Sequence, residues 1–483
     1  MKKFLSIFVL NIFSLALFAN VESYLMYAKF NSPEGPYVET YMSTIGNSLV
    51  YKQANDGNYQ AELEITMVFR IADSVITINK YNLLSPSVTD SLGMKPNFID
   101  MQRIHLANGS YNFDISIKDI NSNQNPVVFS DIVTIDFNEN KLGFGGIQYI
   151  ESIMATQTES VLSKNGYDIQ PYVSSFFPAN IEKLSFYIEV YNTNKVINDE
   201  FILRYYIENY ETGTEIDKYS RFKRMSSSEF IPFIGEINII DLRSGNYNLV
   251  LDVRNKENLS LKKTKYFFQR SNTVSTSEKE LAELIKEIDV YSTFSGDMTS
   301  ADSLRNYISS LWPISGMDEQ RFIDYQVKDA SLEALQNYFT QFWISRDNLN
   351  PNSLWREYKT QVEFVEKLYG TSIRKGYNTD QGIIYLKYGA PNNIYTSKHE
   401  PSAYPYEIWT YWKINNQSNG KFVFYNPRIA GKEYDLLHSN VRGELNTPNW
   451  EVLLQKRNHS LYNFDEKTSE ASWGSRALEE FNK

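Results

Sequence analysis

The sequence predicts a multidomain chain, with two tandem all-β sandwiches followed by an α+β domain in which a helical layer leads into a small antiparallel sheet. Three observations predict it: a strand signature that occurs twice, a change of hydrophobic period after Ser271, and a return of short strand-like runs after Asp380. At 483 residues, 42% of them hydrophobic and 15% aromatic, the chain is too long for one core and carries enough apolar material for several.

Residues 1–19 place two lysines before an apolar run that ends at Ala19, the pattern of a secretory signal peptide, with a cut after Ser23 also possible and an uncleaved anchor as the alternative. The expected location is therefore exported, either periplasmic or at the cell surface. There is no cysteine, which removes disulfides, thiolate metal sites, cysteine catalysis and a cysteine-borne lipid anchor together. No later run is apolar for long enough to cross a bilayer, so no transmembrane segment is expected after signal cleavage. The net charge is −10 and no long basic block exists, which argues against nucleic acid as a partner.

Two segments share an opening and a closing. YVETY (Tyr37–Tyr41) returns as YIEVY (Tyr187–Tyr191), and LANGSYNFDISIKD from Leu106 returns as LRSGNYNLVLDVRN from Leu242. A period of two puts Val38 and Thr40, or Ile188 and Val190, on one face of a strand and the tyrosines with a central glutamate on the other. Each closing is a glycine turn feeding a strand that places Tyr111, Phe113, Ile115 and Ile117, or Tyr247, Leu249, Leu251 and Val253, on one face. Short alternating runs fill the space between, as in an Ig-like sandwich, and give domains at 24–138 and 148–271. Gly143–Gly146 (GFGG) reads as the linker between them.

A capped amphipathic helix is expected from Ser277, with Leu281, Leu284, Ile285 and Ile288 at helical spacing. Helical patterns continue over Ser303–Leu311, through Leu332, Leu335, Phe339 and Phe342, and through Trp355, Tyr358, Val362, Val365 and Tyr369. Four strands then follow, at Ile383–Tyr388, Glu407–Ile414, Lys421–Asn426 and Glu433–Ser439. This third domain spans 277–457, and 458–483 forms a polar tail that frays.

The chemistry is sparse. The four histidines show no metal-ligand spacing, and serine-elbow, phosphate-loop, dinucleotide and calcium-loop signatures are absent, so no catalytic residue, metal or cofactor is assigned. Asp380 and Glu407 are the candidates for a carboxylate acid/base pair. Trp409 and Tyr411 share one face of EIWTYW and serve either as core or as a binding platform for glycan or protein.

GYNTDQGIIYLKYGAPNNIY (Gly376–Tyr395) is the most distinctive stretch. Thr379 and Asp380, directly before Gly382 and a strand, can cap backbone N–H groups, and Gly376 and Gly389 permit backbone angles closed to other residues, with Tyr377 packing from the turn onto the sheet. A structural turn, a ligand or partner site and a catalytic loop are all compatible with it.

The stretch resembles the signature of GWxTD-domain proteins, in which Gly-Trp-x-Thr-Asp, usually followed by Arg-Gly, precedes a strand and a Tyr-Gly-x-Pro turn. Gly376, Thr379, Asp380, Gly382, Tyr388, Gly389 and Pro391 match it, while Tyr377 stands for Trp and Gln381 for Arg. The likeness extends over about 331–450, through FWISRD upstream and PYEIWTYW and FVFYN downstream. It implies an exported protein of Bacteroidota or related bacteria, tandem sandwiches ahead of the domain, and no established activity. The expectation is a non-enzymatic binding or assembly module of the cell envelope that meets a protein or envelope partner through Tyr377, Thr379, Asp380, Glu407, Trp409 and Tyr411. The alternatives are a carboxylate-dependent hydrolase and a non-catalytic glycan-binding protein.

Overall fold

The computed structural model describes residues 21–483 apart from 91–92, 198, 273, 275–292, 348, 401–402, 416, 430, 448, 456–475 and 483. The leader and the helix expected from Ser277 lie outside the described residues. The chain forms two compact units: one runs to Phe137 and takes in Ser152–Ser174, and the other holds Asn138–Glu151 and everything from Ser175 onward.

The first unit is a sandwich. Strands β1 (Ser23–Ser32), β2 (Gly35–Thr44) and β5 (Phe98–His105) form one antiparallel sheet in the order β1-β2-β5. The other is ordered β4-β3-β6-β7, from β3 (Glu62–Ile71), β4 (Ser74–Leu84), β6 (Gly109–Asp119) and β7 (Val127–Ile135). Alternation along β3 and β6 sends Leu63, Ile65, Met67 and Phe69 to meet Tyr111, Phe113, Ile115 and Ile117 in one core, where Phe69 stacks on Phe113 at 4.4 Å. Val38 and Met42 of β2 close that core from the opposite sheet.

Glu39 and Tyr41 face away from it and are nonetheless buried. The segment Ser152–Ser174 carries a hairpin, β8 (Ser163–Lys164) and β9 (Tyr167–Pro171), turned by Asn165 and Gly166, both at positive φ as a two-residue hairpin turn requires. Its Lys164 ammonium pairs with the Glu39 carboxylate and sits 4.0 Å from the Phe30 ring centroid. Arg103 Nε donates to the same carboxylate at 2.6 Å and its Nη2 to Val161 O at 3.1 Å, and Tyr41 donates its hydroxyl to it at 2.5 Å. Burial and the neighbouring Glu39 charge hold the Tyr41 phenol well above its ordinary pKa.

The second sandwich repeats the scheme. β10 (Lys183–Tyr191) pairs with β13 (Phe230–Asn238), and the facing sheet runs β15-β14-β11-β12, from β11 (Glu200–Asn209), β12 (Arg221–Ser226), β14 (Gly245–Arg254) and β15 (Ser260–Arg270). Glu189 is buried and accepts from the hydroxyls of Tyr187, at 2.5 Å, and Tyr191. Gly143–Phe144 is not a bare linker. It pairs antiparallel with Tyr191 and Val190 of β10, which gives its backbone groups ladder partners.

The rest of this unit is α+β. Helices α1 (Ala301–Ser310), α2 (Met317–Tyr325), α3 (Leu332–Arg346) and α4 (Pro351–Tyr369) pack around Phe322, Tyr338, Phe339, Trp343 and Trp355. Ser300 and Ser331 accept from the third backbone N–H of α1 and α3, which fixes where those helices start. The sheet is a meander, β16 (Asn393–Ser397), β17 (Tyr406–Ile414), β18 (Gln417–Tyr425) and β19 (Asp435–Ser439), paired in that order. Ile383–Tyr388, expected as its first strand, belongs instead to helix α5 (Asp380–Tyr388).

Both faces of the meander are covered. Trp409, Tyr411, Phe422 and Phe424 pack on Ile384 of α5, while Tyr406, Ile408 and Val423 pack under α6 (Trp450–Leu454) and α7 (Ala477–Asn482). The polar tail thus ends in a docked helix rather than a frayed end. Its Ala477 and Phe481 supply the apolar face that composition alone understated.

Candidate functional site

The stretch from Gly376 to Pro391 folds as a 3-10 turn (Gly376–Asn378) leading into α5. Thr379 is the N-cap: its Oγ1 accepts from Gly382 N at 3.1 Å and donates to Gly376 O at 2.7 Å. Asp380 in the first turn and Lys387 in the last suit the helix dipole. Gly389, at φ +81° and ψ −167°, ends the helix in a region essentially reserved for glycine, and Pro391 cannot continue it. A six-residue apolar run carries no period of its own, so the caps on either side decide for helix. Replacing Thr379 with alanine should cost about 1 kcal/mol, read as a lower urea midpoint with unchanged slope; no change would remove the cap from the account.

The glycines act by absence of a side chain. A Cβ on Gly382 would stand 1.9 Å from Gly376 O, and one on Gly376 would stand 2.5 Å from Val365 O of α4. The turn and α5 are therefore pressed onto α4, and Glu366 of α4 accepts from Gly376 N at 2.6 Å. Tyr377 is buried in the helical core, with Trp355, Tyr358 and Val365 of α4 in the same cluster, and not against the sheet; desolvation raises its phenol pKa.

Asp380 reaches across to the sheet. Its Oδ2 accepts from Leu436 N of β19 at 2.7 Å and its Oδ1 from Arg374 at 3.4 Å. Glu407 accepts from Gln381 Nε2 at 2.9 Å and from Trp409 Nε1 at 3.0 Å, so the residue standing for the usual arginine is a neutral amide donor to this carboxylate. No hydrogen bond or ion pair joins Asp380 to Glu407 among the described residues, and each is occupied in holding α5 to the meander. Trp409 and Tyr411 are 0% and 3% exposed, which removes them as a binding platform. Coverage of both sheet faces buries this strand, and Tyr411 spends its hydroxyl on Gly389 O at 2.9 Å. The large aromatic of the strand that meets solvent is Trp412, 71% exposed.

Sequence reasoning missed Glu366 and Glu444. Glu444 accepts from Tyr388 Oη at 2.6 Å and Lys387 Nζ at 2.7 Å, and burial with this charge pushes the Tyr388 phenol far up. Neither glutamate lies in a motif, so no local signal marks it. Among the described residues no group of three or more His, Cys, Asp or Glu could hold a metal ion. A cavity of about 220 Å³ is lined by Arg103, Thr156, Ser163 and Lys164 of the first unit, and one of about 250 Å³ by Ile197, Asp199 and Lys256 of the second.

A second polar cluster sits on the other face of the meander. His438 stacks on Trp450 at 5.6 Å and accepts at Nδ1 from Thr447 N at 3.0 Å, and Lys421 donates to Phe481 O. Burial pushes His438 down to about 4 and Lys421 down to about 8. The unfolded chain takes up the histidine proton first as pH falls, so the stabilisation is complete above about 6.5 and is lost between there and about 4, by up to ~3 kcal/mol. His438→Gln should flatten that part of a stability–pH curve; a curve parallel to that of the unsubstituted protein would refute the assignment.

With this geometry in hand, residues 297–447 match the family model described as the GWxTD domain. The chain carries a GWxTD domain over those residues. The match takes in α1 to α5 and the meander, and the GWxTD signature is the turn, cap and glycine contact just described. No curated protein matches the sequence. Among solved structures, CBD12 from CALX1.2 is 12% identical over 55% of this chain and 85% of that one, with a TM-score of 0.13. A calcium-binding mutant of Bacteroides uniformis beta-glucuronidase 2 is 12% identical over 48% of this chain and 26% of that one, with a TM-score of 0.16. Likenesses of that size carry no argument about this chain.

Proposed function

We propose that the protein is a non-enzymatic binding or assembly module, exported to the cell envelope, that contacts a protein partner through its GWxTD domain. One observation carries the reading: the polar signature groups are spent on internal contacts, while α4 beside them turns an apolar stripe to solvent. Phe364 and Leu368, one turn apart, are each 44% exposed, and Tyr385 of α5 extends the stripe with its ring 5.3 Å from Phe364. An exposed i, i+4 pair on a rigid helix suits a protein surface better than a sugar, which needs flat aromatic platforms and convergent polar groups. The leader-like sequence of residues 1–19 supports export.

Affinity capture from envelope extract tests it, with the wild-type chain beside a Phe364→Ser/Leu368→Ser variant. A specific protein retained by the first and lost with the second supports the reading. Equal capture by both, or capture of nothing specific under mild conditions, overturns it.

A further inference from the structure

α7 is a helix of six residues seated by contacts that a separate peptide could make. Ala477 is buried, and Phe481, one turn on along the same helix face, lays its ring 5.1 Å from Trp450 and 5.2 Å from His438. Lys421, buried in β18, donates to Phe481 O and approaches Glu480 O at 3.5 Å. Both carbonyls lie at the helix C-terminus, where a cation is the group the helix dipole favours. The Glu480 charge and these two carbonyls together partly offset the burial of Lys421.

So short a helix does not hold itself together in water, and its conformation depends on the recess. The recess does not depend in the same way on α7. Its walls are His438 and Lys421, fixed by sheet pairing in the meander, and Trp450 and Leu454 of α6, which pack with Tyr406, Ile408 and Val423 as well as with α7.

We propose that this recess is a docking groove for a short helix that presents an aromatic side chain and its last carbonyls together, and that the chain fills it with its own α7 until a partner helix of that kind displaces it. The inference rests on the reading of the domain as a binding module and names the class of partner. The aromatic slot between Trp450 and His438 selects the side chain, and Lys421 selects a helix end over a continuing helix.

The test uses the full chain and a labelled synthetic peptide of residues 476–483, followed by fluorescence anisotropy. A chain carrying Phe481→Ala, whose groove is loosened, should bind the peptide at least tenfold more tightly than the wild-type chain, whose groove is filled in cis at high effective concentration. A peptide carrying Phe481→Ala should lose binding to both, and adding Lys421→Met to the Phe481→Ala chain should weaken it at least fivefold. Absence of binding at millimolar peptide, or equal binding by the peptide without its phenylalanine, overturns the proposal.

Hydrogen exchange on the wild-type chain is the independent arm. Amides of Ala477–Asn482 should exchange at least tenfold faster than those of β18; equal protection would make α7 an integral part of the fold and end the proposal, even if the substituted chain misfolds. Neither arm needs the external partner, so a failure here is separable from a failure of the capture experiment.

Discussion

A Lys164→Met chain is expected to lose about 3 kcal/mol from the stability of the first sandwich. Glu39 is 0% exposed and its carboxylate accepts from Lys164, Arg103 and Tyr41 at once. Removing the ammonium leaves a buried charge with one cation that is itself half-exposed, and breaking a buried pair from one side costs about 3–5 kcal/mol, toward the low end where another cation remains. Removing both charges is a different experiment. A Glu39→Gln/Lys164→Met chain has no uncompensated charge, and Arg103 can turn to water, so most of the loss should return. Urea unfolding followed by exchange at β2 amides reads both; a single substitution no worse than the double one would show that the charges are not coupled.

Gly382→Ala should destabilise the GWxTD domain by a similar amount, about 3 kcal/mol. The new Cβ would stand 1.9 Å from Gly376 O and 2.8 Å from Val365 Cγ1, and the nearer of these is backbone that cannot rotate away. Overpacking of this kind costs about 1–3 kcal/mol and more where backbone must move, against the ~1 kcal/mol by which alanine favours a helix interior. Gly389→Ala separates this cause from backbone strain, since nothing lies within 4 Å of its Cβ and only its φ of +81° is offended. Its cost should be smaller, about 1–2 kcal/mol. A Gly382→Ala domain that melts like the wild type would mean that α5 does not press on the turn.

The pattern of two along a strand told which side chains share a face, and the sandwiches follow it. In the first sandwich Val38 joins the core, Glu39 does not, and Tyr111, Phe113, Ile115 and Ile117 line it as their alternation requires, while in the second Ile188 and Glu189, and Tyr247 to Val253, are buried on both faces. Alternation does not tell whether the second face is also covered. Glu39 and Trp409 both lie on faces covered by distant pieces of chain, and no spacing near either residue marks its cover. The long helices α3 and α4 were legible because several turns of consistent spacing outweigh local ambiguity. Helix α5 is too short for that, and only Thr379 and Gly389 mark it. In the signature, Thr379 was readable as a cap from its type and place, whereas the roles of Asp380 and Gln381 depend on Leu436 N and Glu407, which the meander brings in.

The hairpin of Ser163–Pro171 has a further consequence for the order in which the molecule is made. The chain leaves the first unit at Asn138, contributes to the second, and comes back before departing for good after Ser174. A nascent chain that has emerged only as far as Phe137 holds β1 to β7 and Arg103 but not Lys164, the second cation paired with Glu39. Completion of the N-terminal unit during synthesis therefore waits for Lys164, and a protease cut between Glu151 and Ser152 would sever the covalent link that returns it. An N-terminal fragment prepared for study on its own needs to run to Ser174.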